Sequence, residues 1–96
     1  MKYFHRTSVS PDDVIEAATR FFGAKLTPAA EEPRGREFAG SIGRIAVRVE
    51  AEGGHYTRVD VKTDQVGESE ADKMAKRFLA EVHTLAEPGH SIRGAY

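Results

Sequence analysis

Cysteine, tryptophan and asparagine are absent from the chain, and glutamine occurs once, at Gln65. Without cysteine there can be no disulfide, no thiolate metal ligand and no cysteine nucleophile. Long apolar runs are missing as well. No stretch approaches the ~20 residues that cross a bilayer, and the start, Met1-Lys2-Tyr3-Phe4-His5-Arg6, lacks the apolar core of a secretory signal. The expected location is therefore the cytoplasm, with no membrane partner. Excess charge of one sign is also lacking: 14 basic and 15 acidic residues leave a net charge of −1. That balance provides no global field to attract nucleic acid or an anionic membrane.

What remains is the composition of a globular protein, 40% hydrophobic and 30% charged over 96 residues. The length predicts one α+β domain, residues 1–96, with 88–96 as a loosely held C-terminal tail. A chain of this size buries roughly 60–70% of its unfolded surface, enough for one core. The depletion of Asn, Gln and Cys beside abundant Glu and Arg resembles thermophile composition. A GC-rich genome, which favours Ala, Gly and Arg, gives the same bias.

Two segments have helical period. Ser10 is a good N-cap, Pro11 follows where a missing N–H costs nothing, and Asp12 and Asp13 suit the positive end of a helix dipole. Val14, Ala17, Ala18, Phe21 and Phe22 follow as an apolar stripe widened by Ile15, and Gly23 reads as the stop. The second helix begins at Ser69, with Asp72 completing a variant capping box. Its stripe is Ala71, Met74, Ala75, Phe78, Leu79, Val82, Leu85 and Ala86, and Pro88-Gly89 ends it.

Between the helices the period becomes two. Ile45, Val47, Val49 and Ala51 alternate with Ala46, Arg48, Glu50 and Glu52, and Thr57, Val59, Val61 and Thr63 with Arg58, Asp60, Lys62 and Asp64. These are strands with one buried and one solvated face. Phe38, Gly40 and Ile42 mark a strand before them. Pro28 confines the segment 24–32 to an edge or a bulge, and residues 3–7 supply a further strand. Gly43-Arg44 suits a type II′ turn that pairs Ile42 with Ile45 and Phe38 with Val49. A three-residue loop Gly53-Gly54-His55 pairs Val49 with Val59 and Val47 with Val61. It also sets Glu50 opposite Arg58 and Arg48 opposite Asp60, whereas the competing register opposes Arg48 and Arg58, so charge selects the loop.

The expectation is thus an antiparallel sheet of four to five strands with two helices on one face, in the order β-α-β-β-β-β-α. This order resembles the TATA-box-binding-protein-like fold and, less closely, a shortened helix-grip domain. The resemblance lies in element order alone and implies an architecture without an activity.

Five candidates can be weighed for chemistry. His83, Glu87 and His90 have helical spacing and are ligand types for zinc, but Pro88-Gly89 interrupts the helix that would align them, so no metal is expected. Glu50, Glu52, Asp60 and Asp64 would need burial to act as proton carriers; beside arginines they read instead as an ion-pair ladder. Arg36, Arg48, Arg58, Lys62 and Tyr56 make a basic and aromatic outer-face platform, with Asp60 among the carboxylates that cancel its field. Ser41, in Gly40-Ser41-Ile42-Gly43, lacks the following helix that a nucleophile or phosphate loop requires. Phe21, Phe22, Phe38 and Phe78 read as core, and Phe38, Phe78, His5 and Tyr3 would line a pocket if the core were hollow.

The leading functional expectation is a binding or assembly module without catalysis or cofactor, pairing with itself as a homodimer or with another protein through the edge segments 3–7 and 24–32. A small-molecule binder or small enzyme with a pocket beneath the second helix is the alternative. Nucleic-acid binding on the outer face ranks third. The compositional bias is tested by thermal unfolding: a melting temperature of about 50 °C, in the mesophile range, removes the thermophile explanation and leaves the genomic one.

Overall fold

A computed structural model describes residues 1–86. The tail and the members Glu87 and His90 of the zinc-type triple lie outside the described residues. The order is β1 (Lys2–Thr7), α1 (Pro11–Gly23), β2 (Thr27–Glu32), β3 (Gly35–Gly40), β4 (Gly43–Glu52), β5 (Tyr56–Thr63) and α2 (Glu70–Ala86). The five strands form one antiparallel sheet in the order β1-β5-β4-β3-β2. Both helices pack on the same face, α1 over β3 and β4, and α2 over β1 and β5.

The alternation in β4 and β5 decides which face that is. Ile45, Val47, Val49, Val59 and Val61 are buried, while Arg48, Glu50 and Lys62 between them are exposed. The β4–β5 register pairs Val47 with Val61, Val49 with Val59, Arg48 with Asp60 and Glu50 with Arg58 around the loop Gly53-Gly54-His55. Gly53 and Gly54 both carry positive φ, 61° and 78°, which glycine adopts without a Cβ clash. Helix α1 starts as its sequence demands, with Ser10 Oγ accepting the Asp13 N–H at 3.2 Å. At α2, Ser69 Oγ accepts the Asp72 N–H at 3.1 Å.

Several local expectations are corrected. The β3–β4 turn is Ser41-Ile42, with Phe38 opposite Ile45, so the register lies two residues earlier on each strand than a Gly43-Arg44 turn would give. Arg44 is unavailable for a turn because Asp64 holds both sides of its backbone. The Arg44 N–H donates to Asp64 Oδ1 at 2.9 Å and the Asp64 N–H donates to the Arg44 carbonyl at 3.2 Å. Gly43 then follows the turn at φ 124°. Gly23 closes α1 without a left-handed cap, and the capping residue is Ala24 in ordinary helical geometry. Leu85 falls off the buried stripe and is 41% exposed. Arg36 pairs with Val47, a buried residue, and so stands on the helix side and not on the outer platform. Edge strand β2 does contain a bulge, between Pro28 and Ala30.

The core is built on three phenylalanines from three elements. Phe22 of α1 lies 5.4 Å from Phe38 of β3 and 5.0 Å from Phe78 of α2, centroid to centroid, and all three are fully buried. Ala17, Ala18, Ala71 and Ala75 let the helices approach the sheet and one another. Phe78 is fully buried and packs against both Phe21 and Phe22, so Phe78→Ala is expected to destabilise the fold by ~3–5 kcal/mol, read as a lowered midpoint in urea with an unchanged slope.

Candidate functional site

The four residues considered as a pocket lining do not converge. Phe38 and Phe78 are central core. Tyr3 and His5 lie on the helix-side face of β1, half-buried beneath α2. Three strand spacings, about 14 Å, separate β1 from the strand that carries Phe38.

Tyr3 instead belongs to a polar cluster that the sequence did not reveal. Asp72, on the first turn of α2, is 0% exposed. It accepts from Tyr3 Oη at 2.9 Å, from Thr63 Oγ1 at 3.0 Å and from the Ser69 hydroxyl. Burial pushes its carboxyl up, but the hydrogen bonds from Ser69, Tyr3 and Thr63, with the Met1 amino group nearby, outweigh burial and hold it below the usual carboxylate range. The Tyr3 phenol is pushed up, by desolvation and by Asp72, and stays a donor. Asp72 therefore ties β1 and β5 to α2 as an ionised acceptor. Its oxygens are occupied, which makes it a poor proton carrier. The only sequence signal was the capping box Ser69-x-x-Asp72, which accounts for the Ser69 contact and not for Tyr3 or Thr63.

His5 sits one turn of strand beyond, with its ring centroid 5.9 Å from that of His83 on α2. Desolvation, then the proximity of His83, lower its pKa from the ordinary imidazole value. His5 is uncharged at neutral pH.

On the outer face no helix among the described residues covers the sheet. Phe4 of β1 is 54% exposed and Tyr56 of β5 is 57% exposed. The guanidinium carbon of Arg58 lies 4.5 Å from the Phe4 ring centroid, and that of Arg6 lies 5.6 Å from it. Arg58 and Asp60 join at 3.2 Å along β5, and Arg6 reaches Glu52 at 2.7 Å. The cross-strand neighbours Glu50–Arg58 and Arg48–Asp60 are thus in register, but the close ion pairs form elsewhere because Phe4 draws Arg58 toward β1. A shallow cleft of about 240 Å³ opens beside Ala46, bordered by Glu37, Arg44, Lys62 and Asp64. Positive and negative groups alternate around it. Phe4 was not singled out in the sequence, although a strand with Tyr3 and His5 on the helix side puts it on the outer face by alternation.

The two sheet edges differ. All six residues of β2 are exposed, but Pro28, the bulge, Glu31 and Glu32 blunt it. In β1 there is neither proline nor bulge. Thr63 N–H donates to the Met1 carbonyl at 2.8 Å and the Met1 amino group donates to the Thr63 carbonyl at 3.1 Å, which makes Met1 and Thr63 a hydrogen-bonded pair. The alternation of an antiparallel ladder then turns the backbone groups of Tyr3, His5 and Thr7 toward β5. Those of Lys2, Phe4 and Arg6 face outward, and among the described residues no other segment pairs with them.

Comparison with protein-family models and with curated proteins finds no match.

The Asp72 cluster makes a definite statement about acid. A carboxyl held below its unfolded value stabilises the fold above about pH 4, and that stability is lost as pH falls through the folded pKa. Asp72→Asn is expected to lower stability at pH 7 by ~1.5–3 kcal/mol and to flatten the loss as pH falls below about 4. Urea unfolding of both chains across that range checks this, and an equal acid slope in the variant contradicts it.

Proposed function

We propose that this protein is a non-catalytic binding and assembly module that works by strand addition at β1, with a second copy of the chain as its first partner. The observation that carries this reading is an edge that no other segment pairs with among the described residues. Lys2, Phe4 and Arg6 present outward backbone donors and acceptors on a straight strand, while the opposite edge is blunted. Main-chain hydrogen bonds supply such an association, and Phe4, exposed beside that edge, adds apolar area to it. The mixed charge of the outer face supports a protein partner over a phosphate backbone, since phosphate readers concentrate cations. Asp72, the deeply buried ionisable group, is saturated by hydroxyl donors, in keeping with a structural role.

Static light scattering on the purified protein tests the reading. A dimer is expected in the micromolar range, the usual lower limit of a small specific interface, and a clean monomer at high concentration counts against it. Phe4→Pro removes one outward donor without touching the β1–β5 ladder, because the Phe4 N–H faces away from β5. It is expected to weaken the dimer about a hundredfold, because each copy loses one hydrogen bond and the pair loses two, with an unchanged circular dichroism spectrum. Ala30→Pro on β2 is expected to leave it intact.

A further inference from the structure

If β1 pairs with β1 of a second copy, its chemistry selects the register. Residues directly opposite in an antiparallel pair share a face, so a twofold arrangement sets outer-face residues against outer-face residues. Three registers meet that condition while using the outward backbone groups of Phe4 together with those of Lys2, Arg6 or both; they are centred on Tyr3, Phe4 or His5.

Centring on Phe4 places Lys2 opposite Arg6 of the other copy, twice, and like charges directly opposite repel. Centring on Tyr3 leaves Arg6 beyond the ladder, so its outward donor and acceptor stay unpaired. Centring on His5 places Phe4 opposite Arg6 of the other copy, twice. That repeats between chains the cation–aromatic contact that Phe4 makes with Arg58 within one chain. Lys2 is moved outward, opposite Ser8 of the other copy.

We propose that two copies join antiparallel along β1 about a twofold axis at His5, and that protonation of the facing His5 side chains opens the joint. This rests on the strand-addition reading. His5 is then the central, non-hydrogen-bonded pair, with Cα atoms about 4.5 Å apart and both imidazoles on the helix side.

The surroundings of His5 offer no counter-ion among the described residues. From β5 its neighbour is Val59, and Arg58 and Asp60 lie on the other face. From α2 it meets His83 at 5.9 Å. Farther along α2, Lys76 lies 5.5 Å from the Tyr3 ring centroid, and Asp72 is occupied by Tyr3, Thr63 and Ser69. The dimer would collect two His5 and two His83 side chains in one place. Burial and His83 already hold His5 below its ordinary range in the single chain. A second His5 lowers it further, so the dimer is stable above the single chain's His5 pKa and is lost as pH falls.

The cysteine-free chain allows single-cysteine probes. His5→Cys chains are expected to form a disulfide-linked dimer under mild oxidation, because the central pair satisfies disulfide distances. An equimolar mixture of Phe4→Cys and Arg6→Cys chains reads the same register without altering His5. It is expected to cross-link mainly between the two variants, while Phe4→Cys alone links poorly. Efficient self-linking of Phe4→Cys, with none at His5, overturns the register and leaves strand addition standing. If no probe links while light scattering still shows a dimer, pairing through β1 is wrong and both readings fall. For the unmodified protein, the dissociation constant from sedimentation is expected to rise about tenfold or more between about pH 7.5 and pH 5.5, and His5→Gln is expected to be flat. An equally flat profile in the unmodified protein overturns the switch.

Discussion

Every element of this protein answers to the burial of one face of β4 and β5. Val47, Val49, Val59 and Val61 are removed from water together, and a shift of one residue in either strand would put arginines and carboxylates in their place. With those strands locked, β3 must present Phe38 to the same side and β1 must present Tyr3 and His5. The helices then have one surface on which to bury Phe22 and Phe78. The outer face is what the same alternation leaves over: charged, mixed in sign and, among the described residues, covered by no helix.

Hydrogen bonding completes what burial begins. The burial of α2 along β1 and β5 brings a carboxylate, Asp72, out of water, and that is tolerable because Tyr3, Thr63 and Ser69 converge on it. The cluster joins a terminal strand, the last strand and the last helix, parts of the chain far apart in sequence. Its effect is to fix how α2 sits over β1. The placement of His83 beside His5 follows from that, as does the exposure of the far side of β1. The blunted β2 and the plain β1 give the sheet one protected and one available edge, a polarity with a direct bearing on how the domain could associate.

Much of the architecture was legible from period and turn chemistry. The order of elements, the inward set of β4 and β5 except Ala51, which is exposed, the three-residue loop between them, the Ser10 and Ser69 caps and the edge position of Pro28 all follow from rules that act over a few residues. Where local rules left two answers, they failed. The β3–β4 turn could be drawn at Gly43-Arg44 or at Ser41-Ile42 with the same faces buried, and the choice was made by Asp64, twenty residues downstream, gripping the backbone of Arg44. Leu85 kept helical spacing, yet the sheet beneath it had ended. Arg36 was counted with the outer platform although its own spacing from Phe38 assigns it to the helix side.

The sequence alone determined the class of protein: the absence of cysteine, the balanced charge and the change from period 3.6 to period 2 are properties of the chain before it folds. Where β3 turns into β4, which cation meets Phe4 and which carboxylate is buried were decided only in three dimensions. Those features depend on partners distant along the chain, and a residue's spacing says which neighbours share its face without saying what stands opposite that face.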